Sequence, residues 1–542
     1  MTAAERFAEA GTFLDLRRVP FTLPGSRLLV RRADEGLSVS RAEYEVDADD
    51  AIVVASLTLR DPDGSPLPVT SVQVDRIGFG DGAATLTFGG PMELSLGGSS
   101  MVDLGDGSPL YDLSESDVLL VVGDDRRVDA QRDHGHARRL AGTQELWLDW
   151  FARCPDVRPD LAATAAHCWW VLGANQVELG LVPGSRAVVP SKLGYVALWQ
   201  WDAYFIAIGL RHGDLVLAAE QLELALRFAT LDGQLPDVVH DTGVLSSSDD
   251  LPPADLARLR ELGSPAADPT VPVPLTKPPL AALALALLAD SGLDRPQVEA
   301  LLAPVVASQR WWLESCLASD GLPEYAHPYS SGLDDSPVFD TDLPVATPDL
   351  AAYLELQDLL LADLLDALRR TEAAARHRAR ARASAERLLR LWRTEEQRFG
   401  PRGGSGPLRS HTVLDLLPLL TGTLPAEVVR ALVADLADPA SFAAPHPVPT
   451  VAMNEPAFSA RRMWRGPTWV NTNWLLIEGL LRSGEPERAA CLANLTLALV
   501  VDAGGAFEYY DPRTGRPAPA AAPAFAWTAA LFLDLAVRFA PS

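Results

Sequence analysis

The chain has 542 residues, enough for two or three domains and a large core. Hydrophobic residues make up 48% and charged residues 22%, the balance of a globular rather than a disordered chain. A formal net charge of -26 argues against nucleic-acid phosphates or anionic membrane lipid as partners, and a neutral small molecule or polymer fits it better.

The opening "MTAAERFAEAGTFLD" reads as a short helix. It has no basic segment followed by an apolar stretch, so no secretory signal is expected. No run of about twenty apolar residues follows, so no membrane-spanning helix is expected either. Cys154, Cys168, Cys316 and Cys491 are scattered and lack metal-ligand spacing. Buried free thiols in a reduced, cytoplasmic setting are the expectation, with no metal and no cofactor.

Residues 1–140 are then dominated by short alternating segments: "RLLVRR", "AIVVASLTLR", "SVQVDRIGFG", "AATLTFGG" and "DVLLVVG". Between them stand "DPDGSP", "GDG" and "GGSS", which supply turn residues. Short strands at close spacing predict a β-sandwich domain over 1–140. From "GTQELWLDWFARC" onward the pattern is helical, and residues 141–542 form the second predicted domain. Ala/Leu-rich runs cover 161–180, 214–230, 278–291, 296–318, 348–397 and 470–500. All thirteen tryptophans lie at or after Trp147. Prolines and glycines punctuate the runs, as in "LPPADLARLRELGSPAADPTVPVPLTKPPL", read as a connection. Roughly twelve to fourteen helices without a repeat predict a closed α/α toroid rather than an open solenoid.

Five clusters in the helical part carry polar chemistry. In "ALWQWDAYFIAIGLRHGD", Trp199, Trp201, Asp202, Tyr204 and Phe205 crowd a helix start. They serve either as core with Asp202 near the cap, or as a platform on which a pyranose lies while Asp202 binds its hydroxyls. "DGQLPDVV" (232–239) and "TKPPL" (276–280) read as ordinary turns. "SSGLDDSPVFDTD" (330–342) gathers Asp334, Asp335, Asp340 and Asp342. It lacks the alternating oxygen ligands and closing Glu of a calcium loop, which leaves a solvated loop or a carboxylic acid that keeps its proton. "FSARRMWRGPTWVNTNWLLIEGLL" surrounds Arg465 with Trp464, Trp469 and Trp474 and sets Asn471 and Asn473 on a helix. Buried amides need partners, so this segment reads as a pocket wall. In "GGAFEYYDPRTGRP", Glu508 is either a hydrogen-bonded loop residue or a general base paired with a distant carboxylate.

In this order the clusters resemble the inverting α-glycosidases of glycoside hydrolase family 63, above all its bacterial mannosylglycerate and glucosylglycerate hydrolase type, and more distantly trehalases. "WQWDAYF", "SGLDDSP", "WRGPTWVNTNWLL", "FEYYDPRTG" and "FAWTAAL" carry the resemblance over roughly residues 145–540. It implies an (α/α)6 barrel preceded by the β-sandwich. By position it makes Asp334 the general acid and Glu508 the general base. The substrate-binding set it implies is Trp199, Trp201, Asp202, Tyr204, Gln234, Trp464, Arg465, Asn471, Asn473 and Trp527. Two positions depart from the family pattern: Ser330 stands where Glu is usual, and Lys277 where Gln is. The implied activity is an inverting, exo-acting α-glucosidase on a small α-glucoside or oligosaccharide. A non-catalytic sugar-binding protein and a phosphorylase on the same barrel are the alternatives. Partners are then a small carbohydrate, with a homo-oligomer left open. In such a mechanism Asp335 and partial burial hold the proton on Asp334, while Glu508, in a wetter position, stays ionised.

Overall fold

The computed structural model describes residues 1–244, 251–268 and 275–540. Helix α1 (Ala3–Gly11) opens the chain under a capping box, in which the Glu5 N–H donates to the Thr2 hydroxyl and the Thr2 N–H to the Glu5 carboxylate. Eleven strands follow: β1 (Leu28–Arg32), β2 (Leu37–Arg41), β3 (Ile52–Arg60), β4 (Val69–Val72), β5 (Ile77–Phe79), β6 (Ala84–Gly90), β7 (Glu93–Gly98), β8 (Met101–Asp103), β9 (Tyr111–Asp112), β10 (Asp117–Val122) and β11 (Val128–Asp133). They build two antiparallel sheets, in the orders β1-β2-β3-β8-β9 and β11-β10-β7-β6-β5-β4. Register explains the sandwich. Val118 pairs with Leu96 and Leu120 with Leu94, so one face of the second sheet is apolar. That face meets Leu28, Val30, Leu57 and Leu59 of the first sheet in a single core.

Helix α1 does not join that core. Phe7 and Ala10 pack with Trp147 and Phe151 in the helical part, and Arg6 donates to the Phe151 carbonyl. The first turns of the chain are thus bound to the helices rather than to the sheets.

The helical part holds α2 (His136–Ala152), α3 (Ala162–Ala174), α4 (Gln200–Leu210), α5 (Leu215–Leu226), α6 (Pro253–Glu261), α7 (Ala281–Asp290), α8 (Arg295–Ser315), α9 (Pro348–Ala367), α10 (Thr371–Leu389), α11 (Ala426–Leu436), α12 (Val470–Arg482), α13 (Pro486–Asp502) and α14 (Ala526–Phe539). The run expected over 161–180 is shorter, because Gln176–Leu179 pairs with Val182–Val188 as a hairpin. The stretch read as a plain connection over 251–280 contains α6, and its residues 269–274 lie outside the described residues. Three of the four cysteines are buried and Cys491 is exposed. Among the described residues no helix is long and apolar enough to cross a membrane.

Every residue of α4 is buried. A helix buried all round must lie inside a second layer. The contacts close on themselves: α4 packs on α7, α7 on α9, and α9 on the 3-10 turn Leu417–Thr421. That turn packs on α12, α12 on α14, and α14 on α4. Outside this ring α3, α5, α8, α10 and α13 cover α14, α4, α7, α9 and α12. Close packing is enforced at Gly209, where a Cβ would lie 2.3 Å from the Ala530 carbonyl oxygen.

Candidate active site

The N-terminal ends of α4, α12 and α14 and the loops beside them converge on one cleft. The start of α4 supplies Trp199, Trp201 and Asp202, and the loop after α8 supplies Gly332 and Asp334. The segment leading into α12 supplies Met463, Trp464 and Trp469. Glu508 comes from the loop after α13, and Phe525 and Trp527 from the start of α14. Pro190, Tyr195 and Lys277 complete the lining.

Indole rings dominate the walls. Trp464 stacks on Trp469 at 3.6 Å, while Trp201 and Trp469 each meet Trp527 edge-on at 5.5 Å. Such flat apolar faces match the C–H face of a pyranose and leave its hydroxyls to polar groups. Gly332 lets the aspartate loop reach this wall. Its φ is +75°, and a Cβ there would come within 2.3 Å of the Trp201 ring.

The four aspartates of that loop do not share one charge cloud. Asp335 accepts from the Trp464 N–H at 2.9 Å and from Arg462 at 3.1 Å. Asp340 takes a two-pronged bond from Arg465 at 2.8 and 2.6 Å and a third from Arg258 at 3.1 Å. Burial works against the Asp340 charge, but Arg465 and Arg258 outweigh it and hold the carboxyl below its ordinary range. Asp334 alone of the four lines the cleft. Its side chain is 34% exposed, and Lys277 Nζ stands 3.3 Å from its Oδ1. Burial pushes it up to about 6, against the pull of Lys277 and with help from Asp237 and, least, Asp335.

Glu508 differs from the wetter position expected of it. It is buried, and it accepts the Tyr195 hydroxyl at 3.0 Å and the Ala522 N–H at 3.0 Å. Burial pushes it up to about 7. The two hydrogen bonds oppose that rise, and the charge of Asp334 adds to it. Asp202 is pushed well above its ordinary value, chiefly by burial and against the pull of Lys277.

Of the residues expected at the site, Trp199, Trp201, Asp202, Asp334, Trp464, Glu508 and Trp527 meet in the cleft. Tyr204 does not, because the next turn of α4 carries its ring into the core. Gln234 is buried beside the cleft wall, with its amide nitrogen 3.4 Å from the Leu275 carbonyl. Asn471 is fully buried on α12 and outside the lining. Asn473 is a structural bracket: it accepts the Val448 N–H and donates to the Pro447 carbonyl and to Thr496. Arg465 faces a second cavity instead. Sequence reasoning missed Tyr195, Met463 and Phe525, which carry no local pattern that marks them. Lys277 was visible only as a departure. The two departures are neighbours, for the Thr276 N–H reaches Ser330 Oγ at 3.4 Å and Lys277 Nζ the Tyr329 carbonyl at 2.9 Å.

The second cavity, about 280 Å³, shares Asp334 and Met463 with the first and carries Arg258, His327, Tyr329, Ser336, Arg462 and Arg465. Burial pushes His327 down to about 3, so its ring is neutral. Its Nδ1 accepts the Tyr329 N–H, which places the proton on Nε2, and Nε2 is buried with no partner among the described residues. The sheets also reach the site. Tyr44, between β2 and β3, stacks on His240 at 4.4 Å and lies 6.4 Å from Trp199.

Residues 195–528 match the family model described as the mannosylglycerate hydrolase MGH1-like glycoside hydrolase domain. The chain belongs to that family. This glycoside hydrolase is 28% identical to the mannosylglycerate hydrolase of Thermus thermophilus, over 64% of its own chain and 95% of that protein. It is 25% identical to the glucosylglycerate hydrolase of Mycolicibacterium hassiacum, over 69% of its chain and 97% of that one. Among solved structures, a family 63 mannosylglycerate hydrolase of Thermus thermophilus in complex with glucose superposes with a TM-score of 0.56 at 25% identity. The match covers 68% of this hydrolase and 98% of that chain. Both cleft carboxylates lie inside the matched family residues, and the two sheets lie before them.

Proposed function

We propose that this glycoside hydrolase is an inverting, exo-acting α-glycosidase that releases glucose or mannose from a glycosylglycerate. The observation that carries the reading is that Asp334 and Glu508 line one sugar-sized cleft of tryptophans. Asp334 donates its proton to the glycosidic oxygen as the bond to the anomeric carbon breaks. Glu508 takes a proton from the water that attacks the opposite face. Asp202, buried in the cleft wall, takes hydrogen bonds from sugar hydroxyls. The closed cycle of inner helices supports an (α/α)6 barrel whose fourth inner member is shortened to the turn at Leu417–Thr421.

The names of the relatives narrow the substrate from the small oligosaccharide expected at first to a glycosylglycerate. The second cavity supports this, since it begins at the proton donor, where a leaving group must sit. It offers the free Nε2–H of His327 and the largely exposed Arg462 to an anionic aglycone. The test is a panel of α-glucosylglycerate, α-mannosylglycerate, trehalose, kojibiose, nigerose and isomaltose, followed by time-resolved NMR. A glycosylglycerate is expected to react fastest, with the β anomer appearing first. The α anomer first would rule out inversion, and a preference for a disaccharide would rule out the aglycone.

The two carboxyls repel each other and titrate as a pair. With Asp334 at about 6 and Glu508 at about 7, the single proton of the pair rests mostly on Glu508 and the productive form, with the proton on Asp334, is the minor one; kcat/KM is expected to follow a narrow bell with limbs near those values. A broad plateau from pH 5 to pH 9 would contradict the pairing.

A further inference from the structure

The mechanism above leaves two buried charges unused, Lys277 and Asp237. Lys277 Nζ lies 3.3 Å from Asp334 Oδ1, 3.2 Å from Asp237 Oδ1 and 2.9 Å from the Tyr329 carbonyl. The Tyr329 carbonyl and Asp334 Oδ1 each accept an N–H of the ammonium, and Asp237 adds an ion pair. The rings of Trp199 and Tyr329 stand 5.9 and 5.8 Å from the nitrogen. At the other end of the residue, the Lys277 N–H donates to Gln200 Oε1 at 2.6 Å, and the Thr276 hydroxyl shares that oxygen at 3.1 Å. Gln200 opens α4, the helix that carries Trp201 and Asp202. Lys277 is therefore fixed at both ends, on the platform helix and on the Asp334 carboxyl. Asp237 is fully buried, and among the described residues its carboxylate has no partner but this ammonium.

We propose that Lys277, clamped between Asp237 and Asp334, is the positioning residue that aims the Asp334 carboxyl at the glycosidic oxygen and sets the pH range in which it donates. This rests on the reading of Asp334 as the proton donor. When Asp334 gives its proton to the leaving oxygen and becomes a carboxylate, the ammonium 3.3 Å away stabilises the charge that appears. The groups facing Asp334 are Lys277 and Asp237 from the connections before α7 and after α5, Asp335 on its own loop, and Glu508 across the cleft. Asp202 reaches Lys277 from α4. Asp335 is already balanced by Arg462 and Arg465, which leaves Lys277 as the cation that answers Asp334. Burial alone would discharge Lys277, but Asp237, Asp334 and Asp202 together push it up to about 12, so it stays charged across the working range.

The test is the pH profile of kcat/KM for Lys277→Gln, Lys277→Arg and the double variant Asp237→Asn with Lys277→Gln, on the α-glycoside turned over fastest in the panel. Lys277→Gln is expected to raise the limb that belongs to Asp334, near 6 in the parent, by about 1–3 pH units, because an opposite charge at this range is lost. Lys277→Arg, which keeps the charge but alters the reach, should lower kcat and leave the limb in place. The double variant leaves no unpaired charge at position 237, so it reports even if the single variant fails to fold. Its limb should move in the same direction, by less. An Asp334 limb that stays put or moves down in a folded variant would overturn the role of Lys277. An Asp334→Asn variant that keeps normal turnover would instead overturn the reading of Asp334 itself.

Discussion

Glu508→Gln is expected to lower kcat on the order of 10²–10⁴-fold while the chain keeps its fold, because a carboxamide cannot take the proton of the attacking water. The fold survives for a local reason. Both Glu508 oxygens are held, one by the Tyr195 hydroxyl and one by the Ala522 N–H. The carboxamide oxygen can keep the Ala522 bond, while its NH2 donates to the Tyr195 oxygen once that hydroxyl turns. Stability adds a second, independent readout. The folded-state value of about 7 lies above the ordinary 4.5, so the bound proton favours the folded chain. That contribution is complete below about 4.5 and is lost as pH rises through 7. Glutamine never ionises, so the variant should gain on the parent by about 3 kcal/mol across this interval, seen as a Tm difference that grows with pH. A variant that retained turnover would show that some other group activates the water. A Tm difference independent of pH would show that Glu508 is ionised in the native state.

Asp334→Asn is expected to lose a comparable factor on glycosides with alkoxide leaving groups and far less on an α-glycosyl fluoride. Fluoride leaves without a proton, so a missing general acid matters little for it, whereas the water still has to be activated. Glu508→Gln should be equally poor on both substrates. The ratio of the two rates in each variant therefore assigns the roles without relying on either absolute rate. Asp334→Asn also removes a partner from Lys277, but the Asp237 and Tyr329 contacts at 3.2 and 2.9 Å remain to hold the ammonium. Near-normal hydrolysis of both substrates by Asp334→Asn would leave the cleft with no assigned acid. The reverse pattern, with Glu508→Gln active on the fluoride and Asp334→Asn inactive, would exchange the two roles.

An anionic aglycone beside Asp334, as proposed, would meet less negative potential than the net charge of the chain implies. Asp335 and Asp340 do not add to the negative potential of the cavity, since Arg462, Arg465 and Arg258 stand against them. These pairs lie on the rim, where solvent screens them, so their value is in orienting the loop more than in stabilising the fold. The Asp335–Trp464 backbone bond joins the aspartate loop to the tryptophan wall across the cleft. Loop and wall are therefore positioned together.

Patterns that repeat along the chain were legible in the sequence. Strand alternation in "AATLTFGG" reports which face of a sheet is apolar, and Leu86 and Phe88 lie in the sandwich core. The Ala/Leu runs and the prolines between them marked the helices, because helix period and breakers are local properties. What a side chain meets from a distant part of the chain was decided only by the tertiary structure. Periodicity cannot tell Tyr204, turned into the core, from Trp201 one turn earlier in the cleft. Nor can it show that Asn473 braces the Pro447–Val448 backbone rather than a sugar. The proton affinities of Asp334 and Glu508 depend on burial and on Lys277, Asp237, Tyr195 and Ala522, all remote in sequence from at least one of the two carboxyls. A residue's type is written locally, but its charge state is an energy set by its neighbours in space, and those exist only once the chain has closed.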